Sequence, residues 1–219
     1  MTDSAFRQSS NFWEADLTNW LLSPIGQSVP QPTQDADLLQ QLGFIPGLRE
    51  LLMLRQVHAL EHATVWVLSE SSRHAYVGAS QTDNERLGGM STERGFYLYG
   101  EVKFDDLSRA VQIALRRITS GDWDLAVHPR CGTNLSVGML LTAGLAVGMA
   151  IALPRGPIEQ ILGLGAATAM AARLTPDLGS LAQRYLTTAV PFNLAIANIT
   201  PVRDSLGRSA HFVQVRWVE

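Results

Sequence analysis

The sequence predicts an α+β chain, mostly helical, with a small mixed sheet and a transmembrane helical hairpin. Three observations carry that expectation. Residues 135–153 (LSVGMLLTAGLAVGMAIAL) run without a charge, and 158–172 (IEQILGLGAATAMAA) are apolar again after a Pro-Arg-Gly-Pro break. Residues 46–69 form a long helical run with no interior Gly or Pro after its first turn. Four short segments, 75–79, 95–103, 194–202 and 210–218, have the composition of strands.

The first apolar run is nineteen residues, roughly 28 Å as a helix, close to the thickness of a bilayer core. Thr133 or Asn134 can cap its start, and Pro154 ends it. The second run is shorter, because Glu159 and Arg173 bracket only thirteen uncharged residues. Gly144, Gly148, Gly163 and Gly165 would let the two helices approach closely. A hairpin of this kind returns the C-terminal strands to the side of the N-terminal part, where one sheet can form. A buried helical hairpin in a soluble protein is the competing reading.

The other elements come in chain order. Residues 11–22 place Phe12, Trp13, Leu17, Trp20 and Leu21 at helical spacing, as a core helix or an interfacial one. Residues 23–36 are Pro/Gln/Ser-rich and read as a linker. In 46–69 Pro46 suits a first-turn position, and the middle is apolar on nearly every face, as in a buried central helix. A Gly-rich turn separates the strands at 75–79 and 95–103. Helix 106–119, capped by Asp105 or Asp106, shows one apolar stripe of Leu107, Val111, Ala114, Leu115 and Ile118. The chain divides at these signals into 1–45, 46–134, 135–174 and 175–219, with no internal repeat.

Composition narrows the function. Hydrophobic residues make up 46% and charged ones 17%, below the soluble norm of about 25% charged, and mean hydropathy is slightly positive. A net charge of −3 without a basic block gives no basis for nucleic-acid binding. A lone cysteine, Cys131, excludes an intramolecular disulfide and points to a reducing compartment. The N-terminus carries neither a secretory signal nor a transit-peptide pattern, so we expect the soluble part on the cytoplasmic or stromal side. That makes the glycosylation-like Asn134-x-Ser136 and Asn198-x-Thr200 incidental.

Two motifs carry chemistry. His58-Ala59-Leu60-Glu61-His62 puts two imidazoles on one helix face a turn apart, able to share one cation. Leu51, Leu54 and Val65 share that face, so the pair should look inward onto packing. Glu61 can be a general base on water, a carboxylate steadying an imidazole, or a ligand. The same spacing occurs in the inverted zinc-peptidase motif, which needs another acid downstream. Glu70, Glu85, Glu93 and Glu101 are all available by separation. The second motif is His128-Pro129-Arg130-Cys131, a His-x-x-Cys turn whose imidazole and thiolate suit zinc. Either motif alone has a bland alternative: hydrogen-bonded core histidines, or a cysteine that happens to begin a helix. His74 and His211 lack such company and read as surface or satisfied residues.

Val57–Thr64 (VHALEHAT) and His128–Asn134 (HPRCGTN), followed by apolar helices, resemble an uncharacterised membrane family of cyanobacteria and plastids, related to the YqhQ-like predicted metal-dependent membrane proteins. The resemblance covers the two motifs and the hairpin. It implies membrane attachment in the cell inner or thylakoid membrane, and metal dependence through His58, Glu61, His62, His128 and Cys131. It implies no reaction.

Two functions therefore stand side by side. One is a metal-dependent hydrolase in which Glu61 activates water beside zinc held by His58, His62 and His128 or Cys131. The other is a non-enzymatic factor for membrane-complex assembly or scaffolding, with a closed four-ligand structural site. A lipid-anchored interaction module without metal is the third reading. The bilayer is the expected partner of each.

Overall fold

The computed structural model describes residues 30–73, 86–204 and 206–218. In chain order its elements are helix α1 (Gln34–Leu42), helix α2 (Leu48–Arg73), strands β1 (Gly88–Thr92) and β2 (Gly95–Tyr99), and helix α3 (Phe104–Thr119). A 3-10 turn (Trp123–Ala126) comes next, then helices α4 (Gly132–Ala152) and α5 (Pro157–Ala182), a wider π-type turn (Gln183–Thr187), and strands β3 (Leu194–Arg203) and β4 (Ser209–Trp217). The class is α+β and mostly helical. The sheet is antiparallel throughout, in order β1-β2-β4-β3, which corrects the mixed sheet expected from sequence. Hairpins build both outer pairs, and the long return from β2 to β4 still runs antiparallel.

α2 is the central helix the sequence promised. From Gln56 to Ser69 all residues but His58 and Trp66 are buried. Its polar residues inside the core are satisfied locally: Thr64 Oγ1 donates to the Leu60 carbonyl at 2.7 Å and Ser69 Oγ to that of Val65 at 2.8 Å. One side packs on Phe96 and Leu98 of β2 with Val213 and Val215 of β4, the other on the stripe Leu107, Val111, Ala114 and Ile118 of α3. Phe96 is fully buried, and hiding a side chain of that size contributes about 2–3 kcal/mol.

Several local expectations change. Pro46 stands outside α2, because Gly47 turns the chain with φ +83° before the helix starts at Leu48. The Gly-rich stretch read as a turn holds β1, paired to β2 through a turn at Glu93-Arg94. β2 stops at Tyr99 because Gly100 takes φ +115°. Asp105 and Asp106 lie in the first turn of α3 rather than capping it, and Lys103 is the cap residue. α1 begins inside the expected linker and runs beyond its end at residue 36. The expected helix 11–22 and strand 75–79 lie outside the described residues, as does His74.

α4 and α5 form an antiparallel pair. Among the described residues α4 is the helix long and apolar enough to cross a membrane, and no residue of it is buried. α5 is longer than expected. It continues through Arg173 and Pro176 to Ala182, and turns the small-residue stripe Gly163, Ala167, Ala171 and Gly179 inward. Gly163 is in close contact with Leu153, where a Cβ would lie 2.6 Å from Leu153 Cδ1. Gly144, Gly148 and Gly165 face open space, so of the four expected contact glycines only Gly163 serves the pairing.

Candidate metal centre

The two motifs meet. All five residues singled out from sequence, His58, Glu61, His62, His128 and Cys131, line one cavity of about 520 Å³ between α2, β1, the turn before α4 and the π-type turn. Within it the ligand atoms of His58, His62 and Cys131 lie within 4.8 Å of one another, and this group could hold a metal ion.

The backbone decides which face each imidazole presents. His58 Nδ1 lies 3.0 Å from the Thr187 carbonyl and His62 Nδ1 lies 2.6 Å from that of Ala126. A carbonyl only accepts, so both Nδ1 atoms carry a proton, and in the neutral imidazole each Nε2 keeps the lone pair that a metal would take. Pinning one ring nitrogen this way is the usual support of a metal-binding histidine. Trp66 helps seat the same loop by donating Nε1–H to the Val127 carbonyl at 3.0 Å.

Cys131 is brought in by the turn His128–Cys131, in which its N–H donates to the His128 carbonyl at 3.2 Å. It is the N-cap of α4: its Sγ accepts the Thr133 N–H at 3.3 Å, a role that sequence reasoning assigned to Thr133 or Asn134. Sγ also lies 3.2 Å from His58 Nε2. Burial pushes the thiol's pKa up, but the hydrogen bond and charge of His62 in its imidazolium form, with the Thr133 contacts, outweigh it and hold the thiol of the metal-free pocket below its ordinary range. A tetrahedral zinc, bonded at about 2.3 Å to sulfur and 2.0–2.1 Å to nitrogen, sets its ligand atoms about 3.5 Å apart. Two imidazoles held by their Nδ1 atoms and a thiol at these separations fit such an ion with small adjustments.

Glu61 stands beside this group rather than in it. It is buried and accepts a 2.6 Å hydrogen bond from Ser91 Oγ, while burial raises its pKa against the opposing effects of Ser91 and His58. Gly89 makes the room: a Cβ there would overlap the Glu61 carboxylate. Sequence reasoning missed Ser91 and Gly89, since β1 carries no strand-like pattern. In the structure they belong to the inward-facing edge of a strand laid across α2.

His128 occupies another position. It is buried, its ring centroid is 5.6 Å from that of His62 and 5.0 Å from that of Trp66, and its Nδ1 accepts the Arg130 N–H at 3.3 Å. Gln183 holds this turn by accepting the His128 N–H at 2.8 Å and donating to Asn134 Oδ1 at 2.7 Å. Of the downstream acids, Glu70 pairs with Arg117 and Glu93 with Arg94, and neither they nor Glu101 line the cavity. Glu85 lies outside the described residues. His211 is in β4 and does not line this cavity.

The face shared with Leu51 and Leu54 differs from expectation. Both are exposed, at 53% and 38%, so the outer part of that face opens to the surroundings while the histidine end is enclosed.

Fold and site together define an α+β protein with a candidate His/Cys metal-binding group where its core meets an apolar helix. The chain belongs to the family described as a domain of unknown function, DUF6391, whose model matches residues 53–199. It is 51% identical, over 94% of this chain and 95% of the relative, to an uncharacterized protein of Picosynechococcus sp. (strain ATCC 27264 / PCC 7002 / PR-6). No solved structure matches it.

Proposed function

We propose that this protein is a membrane-attached, metal-dependent hydrolase. On this reading zinc is bound by His58, His62 and Cys131, and Glu61 serves as general base. The observation that carries it is the cavity: three ligand side chains and a buried carboxylate outside the ligand group share one roomy wall. Three protein ligands with space beside them describe a catalytic zinc site, whereas four describe a structural one. The resemblance carried by VHALEHAT and HPRCGTN supports the metal and membrane parts of this reading and says nothing of the reaction.

A cation there would supply Lewis-acid activation of water and of a substrate carbonyl or phosphoryl oxygen. The chain's own residues do the rest. Ser91 and Gly89 fix the Glu61 carboxylate, and burial raises its proton affinity toward that of a useful base. Water's oxygen joins the acyl carbon or phosphorus, the ester bond to the leaving oxygen breaks, and the proton taken by Glu61 passes to that oxygen.

The helical pair α4–α5 enters the bilayer on this reading, with the site on the cytoplasmic or stromal side. Exposed apolar side chains such as Leu140 (75%) and Ile151 (81%) support it. Retention in the membrane pellet after carbonate washing is the expected result, and release would end the membrane part.

One observation favours a second reading, a closed structural site in an assembly or scaffold factor: His128 is buried on the same wall and could complete four ligands. Cobalt-substituted protein separates the two. If azide shifts the d–d bands, a coordination position is open; unchanged bands mean a closed site. Glu61→Gln should then keep a full equivalent of metal and lose hydrolysis of a p-nitrophenyl ester and phosphoester panel. Less than half an equivalent of zinc in fresh wild-type protein would overturn both metal readings.

A further inference from the structure

The cavity wall has an order along α2. Leu51, Leu54, Arg55, His58, His62 and Val65 fall at helical spacing on one face, and all six line the cavity. Read inward, that face is first apolar and exposed, then cationic, then metal-binding. Leu186, 71% exposed on the π-type turn, adds apolar surface to the same wall. Among the described residues none of these exposed side chains belongs to the core cluster.

Arg55 is the unexplained member. Its Nη2 donates to the carbonyls of Tyr185 (3.3 Å) and Thr188 (3.0 Å), its Nε is buried without a hydrogen-bond partner, and no acidic side chain among the described residues pairs with it. A half-buried guanidinium held in place by carbonyls, with its charge uncompensated, is a ready counter-ion for an oxyanion. It sits one helical turn from His58.

We propose that the cavity takes an amphiphile drawn from the bilayer, an acyl chain carrying an anionic phosphate or carboxylate head. The chain lies along Leu51, Leu54 and Leu186, and the head meets Arg55. The bond to be hydrolysed is then beside His58, His62 and Glu61. Cys131, at the inner end of the cavity, is also the first residue before α4, so the cavity adjoins the helix that the bilayer would cover. The inference deepens the hydrolase reading and rests on it for the bond broken, but not for binding.

The test is equilibrium binding to the full chain in non-ionic micelles, metal-free and zinc-loaded, with three probes. These are lysophosphatidic acid, the neutral monoacylglycerol of equal chain length, and inorganic phosphate. Lysophosphatidic acid should bind about tenfold or more tighter than either other probe, as expected for charge-assisted bonds added to apolar contact. Arg55→Gln should remove the preference over the neutral lipid, and Arg55→Lys should restore most of it. Leu186→Asp, at an exposed position that leaves folding intact, should weaken lysophosphatidic acid and leave phosphate unchanged. Equal binding of the neutral lipid, or an unchanged preference in Arg55→Gln, would overturn the anionic head. Phosphate binding as tightly as the lipid would make the ligand a free anion and overturn the amphiphile. If zinc fails to load while the lipid still binds, the hydrolase reading falls and this one stands. Zinc loading without lipid selectivity has the opposite meaning.

Discussion

Two long helices, α2 and α4, reverse the usual relation between sequence and burial. α2 carries arginines, glutamates, histidines and a glutamine, yet its middle is almost wholly enclosed by the sheet and α3. α4 carries no charge and buries nothing. Hydropathy therefore does not measure burial by protein. The polar residues of α2 are tolerated inside because each has a partner: Gln56 donates to Asp35 and accepts the Asn193 N–H, and both imidazoles of the motif hold carbonyls. The apolar residues of α4 lie outside the core, and an exposed apolar face of this size marks contact with a partner or a bilayer. The candidate metal centre lies where these two helices come together, at Cys131.

The most damaging way to sharpen the contrast is to empty the core that encloses α2. Phe96→Ala should cost about 3–5 kcal/mol, read as a lowered midpoint in chemical denaturation followed by circular dichroism. A loss under 1 kcal/mol would mean that the sheet does not hold α2. On α4 the informative change is Leu140→Arg. At an exposed site in water such a substitution shifts stability by only about 0.5 kcal/mol, whereas near the middle of a membrane helix it costs about 2.5–3.5 kcal/mol. Membrane retention should fall while the core stays folded; unchanged retention would break the comparison on the α4 side.

Legibility divided along the same line. Helices with long uninterrupted patterns, α2, α3 and α4, could be read within a few residues, as could β3 and β4, which are rich in β-branched and aromatic residues and joined by a short turn. β1 could not: Gly88-Gly89-Met90-Ser91-Thr92 has no strand-forming pattern, and its conformation is imposed by pairing with β2. In the site, spacing alone brought out His58 with His62 and His128 with Cys131. That three of these converge, and that His128 stands farther from the group, depends on how the 3-10 turn and π-type turn dock on α2. Arg55 did not stand out in the sequence, because what sets it apart is the lack of an acidic partner among the described residues, which no linear pattern reports.

Removing a candidate ligand tests the meeting point itself. Cys131→Ser should lower metal affinity by more than about a hundredfold, since loss of supporting hydrogen bonds alone typically costs 10–100-fold. Equilibrium dialysis with zinc and elemental analysis would measure it. The parallel His128→Ala should lose less than tenfold if His128 supports the turn, but as much as Cys131→Ser if it is the fourth ligand.

The smallest effects come from two adjacent glycines in β1. Gly89→Ala drives a methyl group into the Glu61 carboxylate, which is already fixed by Ser91, and should cost about 1–3 kcal/mol as other over-packed sites do. Gly88→Ala meets open space and neither residue has a positive φ, so it should be close to neutral in stability. The pair controls for strand propensity, because both substitutions add the same methyl group to the same strand. If Glu61 is the base, Gly89→Ala should also abolish hydrolysis while leaving zinc content at one equivalent, and Gly88→Ala should change neither. Equal losses from both glycines would mean that β1, and not the placement of Glu61, is what the substitutions disturb.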